Sequence, residues 1–221
     1  MSLRVRAVLF DLDGTLIDSA PDLAGAGNDM RMARGLEPLP LAHFRPMVGS
    51  GARGMLGRAL GVVPTQPDFD TLKDEFLQRY EERMTRDTCV FDTMMPVLAT
   101  LKASGLPWGI VTNKAQRFAV PLVRALGLHE QAAVVICGDT TPHSKPHPAP
   151  LLEAARRIEM PAADCVYVGD DLRDVQAGRA AGMRTVAAGW GYLGDGDHID
   201  AWGADHTIAQ PSQLLKLLAL P

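Results

Sequence analysis

The chain has 221 residues, of which 47% are hydrophobic and 22% are charged, and its formal net charge at neutral pH is −4. This length suits one large domain or a domain with a substantial insert, and the composition is that of an ordinary globular protein. The negative net charge and the lack of a basic block argue against nucleic acid or an anionic membrane as a partner.

Cysteine usage and the start of the chain predict a cytoplasmic location. The three cysteines, Cys89, Cys137 and Cys165, lie far apart without C-x-x-C spacing, which predicts buried reduced thiols. The apolar run Ala7–Phe10 is short and is followed by acids, so we expect no signal peptide, and no stretch is long enough to span a bilayer.

The first predicted element is a buried strand over Ala7–Phe10, which leads directly into Asp11 and Asp13 and then Gly14 and Thr15. Open α/β sheets bind ligands at the carboxyl edge of their strands. Side-chain alternation would place both carboxylates on one side, where they would repel each other. The pattern therefore predicts a bound cation or a shared proton in preference to a solvated turn or a helix cap.

The segment 18–91 lacks strong strand patterns and predicts an all-helical insert. Apolar residues recur at helical spacing over Leu23–Met32, Ala52–Leu60 and Phe69–Met84. An insert at this point would lie over the edge to which Asp11 points, where a lid belongs.

From residue 92 onward, strand and helix patterns alternate, as in a parallel sheet with helices on both faces. We expect 1–17 and 92–221 to form one domain of this kind. The further predicted strands are Trp108–Thr112, Ala133–Cys137, Cys165–Gly169 and Thr185–Ala188. The predicted helices are Phe118–Leu126, Pro150–Ile158 and Leu172–Ala181.

The strand ending at Val111 runs into Thr112, Asn113 and Lys114 before a helix. The Thr112 hydroxyl and the N–H groups of that helix would make an oxyanion or phosphate site. An ordinary strand-to-helix cap explains the same residues, and this motif alone does not separate the two interpretations.

Lys145 is placed between Ser144 and Pro146 in a segment whose prolines favour extended backbone. A lysine held in this way supplies a point charge for phosphate, although a plain surface loop is an equal alternative. We expect His143 and His147, which flank it, to be exposed to solvent and not to bind metal.

The strand ending at Gly169 runs into Asp170 and Asp171, and Asp174 follows one helical turn later. Acids at this position cap helices, but three exceed what capping requires. Each polar strand end therefore contributes a part that phosphate chemistry needs.

These residues resemble the four motifs of the haloacid dehalogenase superfamily of phosphotransferases, in order and over nearly the whole chain. The matching positions are Asp11-x-Asp13-x-Thr15, Thr112, Lys145, and Gly169-Asp170 with Asp174. The resemblance implies a Rossmann-like α/β core with an inserted helical cap of the C1 type. Residues 48–53 and the Gly-Asp-Asp run at 169–171 resemble the phosphoglycolate phosphatase-like branch. Within that branch, segments 106–118, 189–192 and 202–205 resemble phosphatases of N-acetylmuramate 6-phosphate.

The resemblance implies specific roles for these positions. Asp11 would be the nucleophile and would form an aspartyl-phosphate, and Asp13 would be the general acid and then the general base. The implied ligands of Mg²⁺ are Asp11, the backbone carbonyl of Asp13, and Asp170. The residues expected to hold the surroundings of the ion are Thr15, Asp171 and Asp174. The groups expected to stabilise transition-state charge are Thr112, the N–H of Asn113, and Lys145.

In the helical insert, Gly51 and Arg53 are the candidate substrate-binding residues. A glycine-rich loop at a helix start can bring backbone N–H groups and a guanidinium to the distal anionic group of a substrate. A solvent-facing arginine is the alternative interpretation of Arg53.

We expect a monomer or homodimer that hydrolyses a small phosphate ester, either phosphoglycolate or N-acetylmuramate 6-phosphate. A β-phosphoglucomutase-like phosphotransferase shares the same motifs and remains an alternative. A catalytically silent phosphometabolite-binding protein is a more remote one, because Asp11, Asp13, Lys145 and Asp170 are all present.

Overall fold

The computed structural model describes residues 3, 5–194, 196 and 198–220, and the chain divides into two compact units. Unit 1 comprises the described residues of 1–17, 90–191 and 197–221, and unit 2 comprises those of 18–89 and 192–196. From the sequence we expected 192–196 to belong with the sheet domain and 90–91 with the helical insert, whereas the structure groups the described residues of 192–196 with the helical segment and 90–91 with the sheet. Within the described ranges no helix is long and apolar enough to cross a membrane.

Unit 1 is built on a six-stranded sheet with the order β5-β4-β1-β6-β7-β8. Its strands are β1 (Ala7–Phe10), β4 (Trp108–Val111), β5 (Val135–Ile136), β6 (Cys165–Gly169), β7 (Arg184–Ala188) and β8 (His206–Ile208). All neighbouring strands run parallel, and Val8 of β1 lies in register with Trp108 of β4 and Val166 of β6. The predicted parallel sheet is confirmed. Two further short strands, β2 (Ile17–Asp18) and β3 (Cys89–Val90), form a separate pair.

The central strand β1 is buried on both faces, which explains its uninterrupted apolar sequence. Val8 and Phe10 belong to one hydrophobic cluster, and Ala7 and Leu9 belong to another. The first cluster contains side chains of the helices α5 (Met95–Ala103), α6 (Gln116–Ala125) and α9 (Ser212–Leu217). The second contains side chains of α7 (Ala149–Arg157) and α8 (Leu172–Ala180). Helices therefore cover both faces, as predicted.

The structure differs from the sequence prediction in its shorter elements. The strand predicted over Ala133–Cys137 is limited to β5, because the N–H of Cys137 donates to the hydroxyl of Thr140 instead of continuing the ladder. The strand β8 and the helices α5 and α9 were not predicted. β8 has only three residues and no apolar run, so it carries no strand signal of its own.

The described part of unit 2 contains four α-helices, of which three match the predicted periodic segments and the four-residue α2 was not predicted. They are α1 (Ala20–Met32), α2 (Leu41–Phe44), α3 (Gly51–Leu60) and α4 (Phe69–Glu81). Fully buried side chains from these helices include Met30, Met55, Phe76 and Tyr80. α1 begins before the predicted residue, with proline in its first turn, a position where the missing N–H costs nothing.

The expectation of buried thiols is correct for two cysteines and wrong for the third. Cys137 and Cys165 are buried, whereas Cys89 is exposed. Cys89 begins the two-residue strand β3, which pairs with β2 apart from the six-stranded sheet. All three cysteines are unbridged, as predicted.

Candidate active site

Polar side chains follow three adjacent strands of the sheet. Asp11 follows β1, Thr112 follows β4 and Asp170 follows β6. The N–H of Asp11 donates to the carbonyl of Val168 at 2.9 Å, and so extends the ladder by one residue. Because parallel strands end at the same edge, residues far apart in sequence come together here.

A cluster of carboxylates lies at this edge. Asp11, Asp170 and Asp174 each offer an oxygen, and these oxygens all lie within 4.8 Å of one another. The hydroxyl of Thr15 donates to Asp170 Oδ1 at 2.8 Å, and all four residues except Asp11 are fully buried or nearly so. Thr15 therefore orients one oxygen of the Asp170 carboxylate.

Lys145 is a buried ammonium whose hydrogens are fully used. Its Nζ donates to the carbonyl of Val111 at 3.1 Å, to the hydroxyl of Tyr167 at 2.8 Å and to Asp174 Oδ1 at 2.8 Å. An ammonium has three N–H bonds. Asp11 Oδ1 also lies 2.8 Å from Nζ, so four acceptors surround the three hydrogens of this ammonium. Burial opposes the charge, but Asp11 and Asp174 outweigh it and raise the pKa of Lys145.

Asp11 resists ionisation in the protein alone. Burial raises its pKa to about 7, the charge of Lys145 lowers it, and the charges of Asp174 and Asp13 raise it. A cation stabilises the ionised form of a carboxylate that is buried beside other negative charges. A cation bound at this edge would therefore favour the ionised form of Asp11.

The donor set fits a hard divalent cation. Carboxylate groups outnumber ammonium groups at this edge: the carboxylates are Asp11, Asp13, Asp170 and Asp174, and the ammoniums are Lys114 and Lys145. Magnesium takes oxygen ligands and keeps several waters. A carboxylate oxygen has two lone pairs, so Asp11 Oδ1, which lies 2.8 Å from Lys145 Nζ, keeps one available for such an ion.

The carboxylate of Asp13 lies outside that cluster. Its Oδ1 accepts from Lys114 Nζ at 2.9 Å, and both side chains are largely buried. β1 ends at Phe10, and Gly14 adopts a φ of 87°, in the region that favours glycine. Strand alternation therefore does not extend through Asp13, and the partner of its carboxylate was not predicted.

Asn113 holds the loop that carries Lys145. Its side-chain amide donates to the carbonyl of Lys145 at 2.9 Å, and its carbonyl oxygen accepts from the Lys145 N–H at 2.9 Å. The paired bonds mimic a strand contact across 32 residues. From the sequence we expected only its backbone N–H to act, and no sequence signal marks this side-chain role.

Tyr167 is a site residue that the sequence analysis missed. Its hydroxyl donates to the carbonyl of Val111 at 2.7 Å, accepts from Lys145 and lies 3.3 Å from Asp174 Oδ1. Burial raises its pKa well above the ordinary value, so the hydroxyl stays neutral. The available signal was a hydroxyl-bearing side chain in an otherwise apolar strand.

The acids after β6 divide between capping and the site. Asp171 accepts from the N–H of Arg173 at 2.9 Å, while Asp174 Oδ2 accepts from the N–H of Asp171 at 3.1 Å, which forms a capping box for α8. Burial raises the pKa of Asp171, but its hydrogen bond with Arg173 and the charge of that guanidinium bring it below its usual range. Asp171 is absent from the carboxylate cluster, whereas Asp174 belongs to both arrangements.

The start of α6 contributes less than expected. The N–H of Gln116, the first residue of that helix, donates to Asp139 Oδ1 at 2.9 Å. The hydroxyl of Thr112 accepts from the N–H of Lys114 at 3.1 Å. We expected the N–H groups at the start of this helix to bind an anion. For Gln116 this expectation is wrong, because its N–H already donates to the carboxylate of Asp139.

The loop beside Lys145 exposes its two histidines, as predicted. His143 and His147 lie with ring centroids 4.4 Å apart. The six-residue wall of a shallow cavity of about 550 Å³ includes both rings.

In unit 2, Gly51 begins α3 with a φ of 59° and a ψ of −153°, a combination open only to glycine. Arg53 lies in the first turn of α3, is exposed and has no ion pair among the described residues. Arg45, by contrast, is held by Asp18 through two hydrogen bonds of 3.1 and 2.7 Å. Of these two arginines, Arg53 is the one available to a ligand.

A family model described as haloacid dehalogenase-like hydrolase matches residues 5–182. A phosphoglycolate phosphatase of Xanthomonas campestris pv. campestris is 48% identical over 217 residues, which cover 98% of this chain and 97% of that protein. An N-acetylmuramic acid 6-phosphate phosphatase of Pseudomonas aeruginosa is 40% identical, covering 98% of this chain and 96% of that protein. The crystal structure of a predicted phosphoglycolate phosphatase from Haemophilus somnus superposes with a TM-score of 0.84 at 26% identity, covering 97% of this chain and 98% of that one.

Proposed function

Since the chain belongs to the haloacid dehalogenase-like hydrolase family and is a phosphatase, we propose that it hydrolyses a small anionic phosphomonoester through a phosphorylated Asp11. The observation that carries this proposal is the buried Lys145, which contacts both Asp11 and Asp174 beside the hydroxyl-oriented Asp170. A carboxylate nucleophile, a fixed cation and further acids at one strand edge are the parts that phosphoryl transfer requires.

In the first step, a carboxylate oxygen of Asp11 attacks phosphorus while the bond from phosphorus to the ester oxygen breaks. Asp13 gives a proton to the departing alkoxide, so that a neutral alcohol leaves. Splitting a very slow hydrolysis into two displacements lowers the barrier of each.

In the second step, Asp13, now a carboxylate, takes a proton from water. The resulting oxygen nucleophile attacks the phosphorus of the aspartyl-phosphate, which releases inorganic phosphate and regenerates Asp11. Microscopic reversibility assigns Asp13 opposite roles in the two steps.

Asp11, Asp170 and the backbone carbonyl of Asp13 would hold Mg²⁺. The ion, when bound, would offset the repulsion between the Asp11 carboxylate and the phosphate dianion. Thr15 orients Asp170 for this task, and Asp174 holds Lys145.

Lys145, the hydroxyl of Thr112 and the N–H of Asn113 stabilise charge on the equatorial oxygens in the transition state. Preorganised donors in a site that excludes water are more effective than the same groups in water. The double hydrogen bond from Asn113 to the Lys145 backbone supports this role, because it fixes the loop before substrate arrives.

Replacing Asp11 by asparagine tests the chemistry. We expect Asp11→Asn to abolish both phosphate release and the acid-stable, base-labile phosphoenzyme, while its circular dichroism spectrum matches that of the wild type. The exposed Asp92→Asn variant is the matched control and should keep both. Retained turnover in Asp11→Asn, with mass spectrometry excluding reversion to aspartate, would overturn the proposal.

The proposed substrate class carries a carboxylate in addition to the phosphate. Phosphoglycolate and N-acetylmuramate 6-phosphate, which the names of the relatives specify for those proteins, both have one. Arg53 and the backbone of Gly51 suit a carboxylate, because a guanidinium and converging N–H groups bind it with charge-assisted hydrogen bonds.

A Mg²⁺-dependent phosphate-release screen over both compounds and common sugar phosphates, ranked by kcat/KM, identifies the substrate. Release of phosphate without an acceptor sugar distinguishes a phosphatase from a mutase. A screen in which only hexose phosphates react, and only with an acceptor sugar present, would contradict the assignment.

Arg58 provides a matched control for Arg53. Both arginines lie on α3, are exposed and have no ion pair among the described residues. We expect Arg53→Ala to raise KM for the carboxylate-bearing substrate about tenfold or more, with little effect on p-nitrophenyl phosphate. Arg58→Ala should change neither. Equal effects of Arg53→Ala on both substrates would argue against a specificity role.

A further inference from the structure

The segment that follows β7 contacts the site from a side that no family motif covers. The indole Nε1 of Trp190 donates to the backbone carbonyl of Thr15 at 3.0 Å. Thr15 is the residue whose hydroxyl donates to Asp170 Oδ1 at 2.8 Å. Trp190 is half-buried against the hydrophobic cluster that contains Val8 and Phe10. The indole therefore fixes the backbone that presents the Thr15 hydroxyl.

The next residue, Gly191, lies against the Asp170 side chain itself. A Cβ atom at position 191 would overlap the Cβ, Cγ and Oδ2 atoms of Asp170. Gly191 does not adopt a positive φ, so its backbone conformation is open to any residue. Glycine is therefore required at position 191 because the Asp170 side chain occupies the place where a Cβ atom would lie.

Asp170 is thus bounded from two directions. The Thr15 hydroxyl orients Oδ1, and the backbone of Gly191 limits the position of the side chain on the Oδ2 side. Both constraints come from adjacent residues of one segment, Trp190 acting through Thr15 and Gly191 acting by contact. A carboxylate held within a fraction of an ångström of its binding position loses less entropy when it takes up a cation.

We propose that Trp190 and Gly191 are positioning residues that hold the Asp170 carboxylate in the geometry that binds the divalent cation. The proposal rests on the assignment of Asp170 as a cation ligand in the proposed function. Neither residue touches the reacting atoms. Their effect is on the affinity for Mg²⁺, and through it on the Mg²⁺ concentration that activity requires.

The test is calorimetric titration of Mg²⁺ into the full-length, substrate-free protein. We expect Gly191→Ala to weaken Mg²⁺ binding at least tenfold, because the added methyl displaces the carboxylate. Gly196→Ala is the matched control, since a Cβ at 196 meets no atom within 4 Å among the described residues, and it should bind within twofold of wild type. Wild-type Mg²⁺ affinity in a folded Gly191→Ala variant would overturn the proposal.

Trp190→Phe keeps the aromatic packing and removes the N–H donor, so it tests the second constraint even if Gly191→Ala does not fold. We expect about threefold weaker Mg²⁺ binding and a kcat that recovers when Mg²⁺ is raised to saturation. A merely structural role would lower kcat at every Mg²⁺ concentration, which would contradict positioning.

Asp170→Asn separates this proposal from the one on which it rests. If Asp170→Asn binds Mg²⁺ as wild type does, Asp170 is not a Mg²⁺ ligand, and that part of the proposed function is wrong. If Asp170→Asn loses Mg²⁺ binding while Gly191→Ala and Trp190→Phe keep it, only the positioning role fails.

Discussion

The ammonium of Lys114 lies 2.9 Å from Asp13 Oδ1, with the two side chains 10% and 18% exposed. Exposed ion pairs contribute little to protein stability, but a pair this well enclosed restricts the rotation of both side chains. Asp13 is the proposed proton carrier, and proton transfer requires its oxygen within hydrogen-bond reach of the ester oxygen. We therefore expect Lys114, which directly follows Thr112 and Asn113, to contribute to catalysis by holding Asp13.

Lys114→Met should lower kcat by about 10- to 100-fold, a part of what a general acid supplies, and change KM by much less. The reason is that the Asp13 carboxylate loses the contact that fixes its orientation. Steady-state kinetics on p-nitrophenyl phosphate measures this split. Lys114→Arg should recover part of the rate, and the exposed Lys102→Met should have none of these effects. A Lys114→Met variant with wild-type kcat would contradict the role.

Tyr167→Phe should cost about 1–3 kcal/mol of unfolding free energy, because it removes a buried partner of a charged group. One N–H of Lys145 and the carbonyl of Val111 lose their contact with the hydroxyl. Chemical denaturation measures the loss. We also expect kcat to fall, since Lys145 gains freedom to move. Tyr80→Phe, which removes a buried tyrosine hydroxyl from unit 2, is the control. An equal fall of kcat in Tyr80→Phe would contradict the explanation that Tyr167 acts through Lys145.

Asp11→Asn should stabilise the protein in EDTA by an amount that depends on pH. Folding raises the pKa of Asp11 from 3.8 to about 7, so the folded state resists the loss of this proton. The destabilisation is absent below pH 3.8, grows as pH rises to about 7 and is constant above. The gain at pH 8 should reach at most about 4 kcal/mol.

Thermal melting of wild type and Asp11→Asn from pH 4 to pH 8 measures how this stability difference changes with pH. Added Mg²⁺ should shrink the difference at pH 8, because a bound cation stabilises the carboxylate of the wild type. A difference between the two proteins that stays constant across this pH range would contradict the raised pKa of Asp11.

The three cysteines should react at very different rates with a thiol reagent. Cys89 is exposed, whereas burial raises the pKa of Cys165 to about 11 and also raises that of Cys137. At pH 8 a thiol of pKa 11 is about one-thousandth thiolate, and the thiolate is the reactive form. Ellman's reagent should therefore titrate one cysteine rapidly in the folded protein and three after unfolding. Rapid reaction of two or three thiols would contradict the described burial.

The positions of Asp11, Thr112 and Asp170 could be predicted because each follows a strand with a strong apolar run, whereas Lys145 was indicated only by the prolines of its loop. Which strand lies beside which could not be predicted, since the order of a parallel sheet depends on how the helices cross its faces. β8 was missed because three residues at the edge carry no periodicity.

The finer contacts of the site were beyond prediction for a related reason. Asp170 and Asp171 are adjacent and identical in type, and only the backbone turn directs one to the cluster and the other to the α8 cap. The Asn113 bonds to Lys145 depend on the path of the loop between β5 and α7. Local sequence patterns encode an element, whereas such pairings depend on the assembled tertiary structure.

The hydroxyl of Tyr192 accepts from the N–H groups of Ser19 and Ala20 at 2.8 and 3.0 Å and donates to Asp18 Oδ1 at 3.0 Å. Tyr192 therefore completes the start of α1 from a distant part of the chain. A graft of residues 18–89 onto a related core would leave the first turn of α1 without these partners. Exchange of helical modules between relatives, in the laboratory or in evolution, must therefore transplant two separate pieces of chain together.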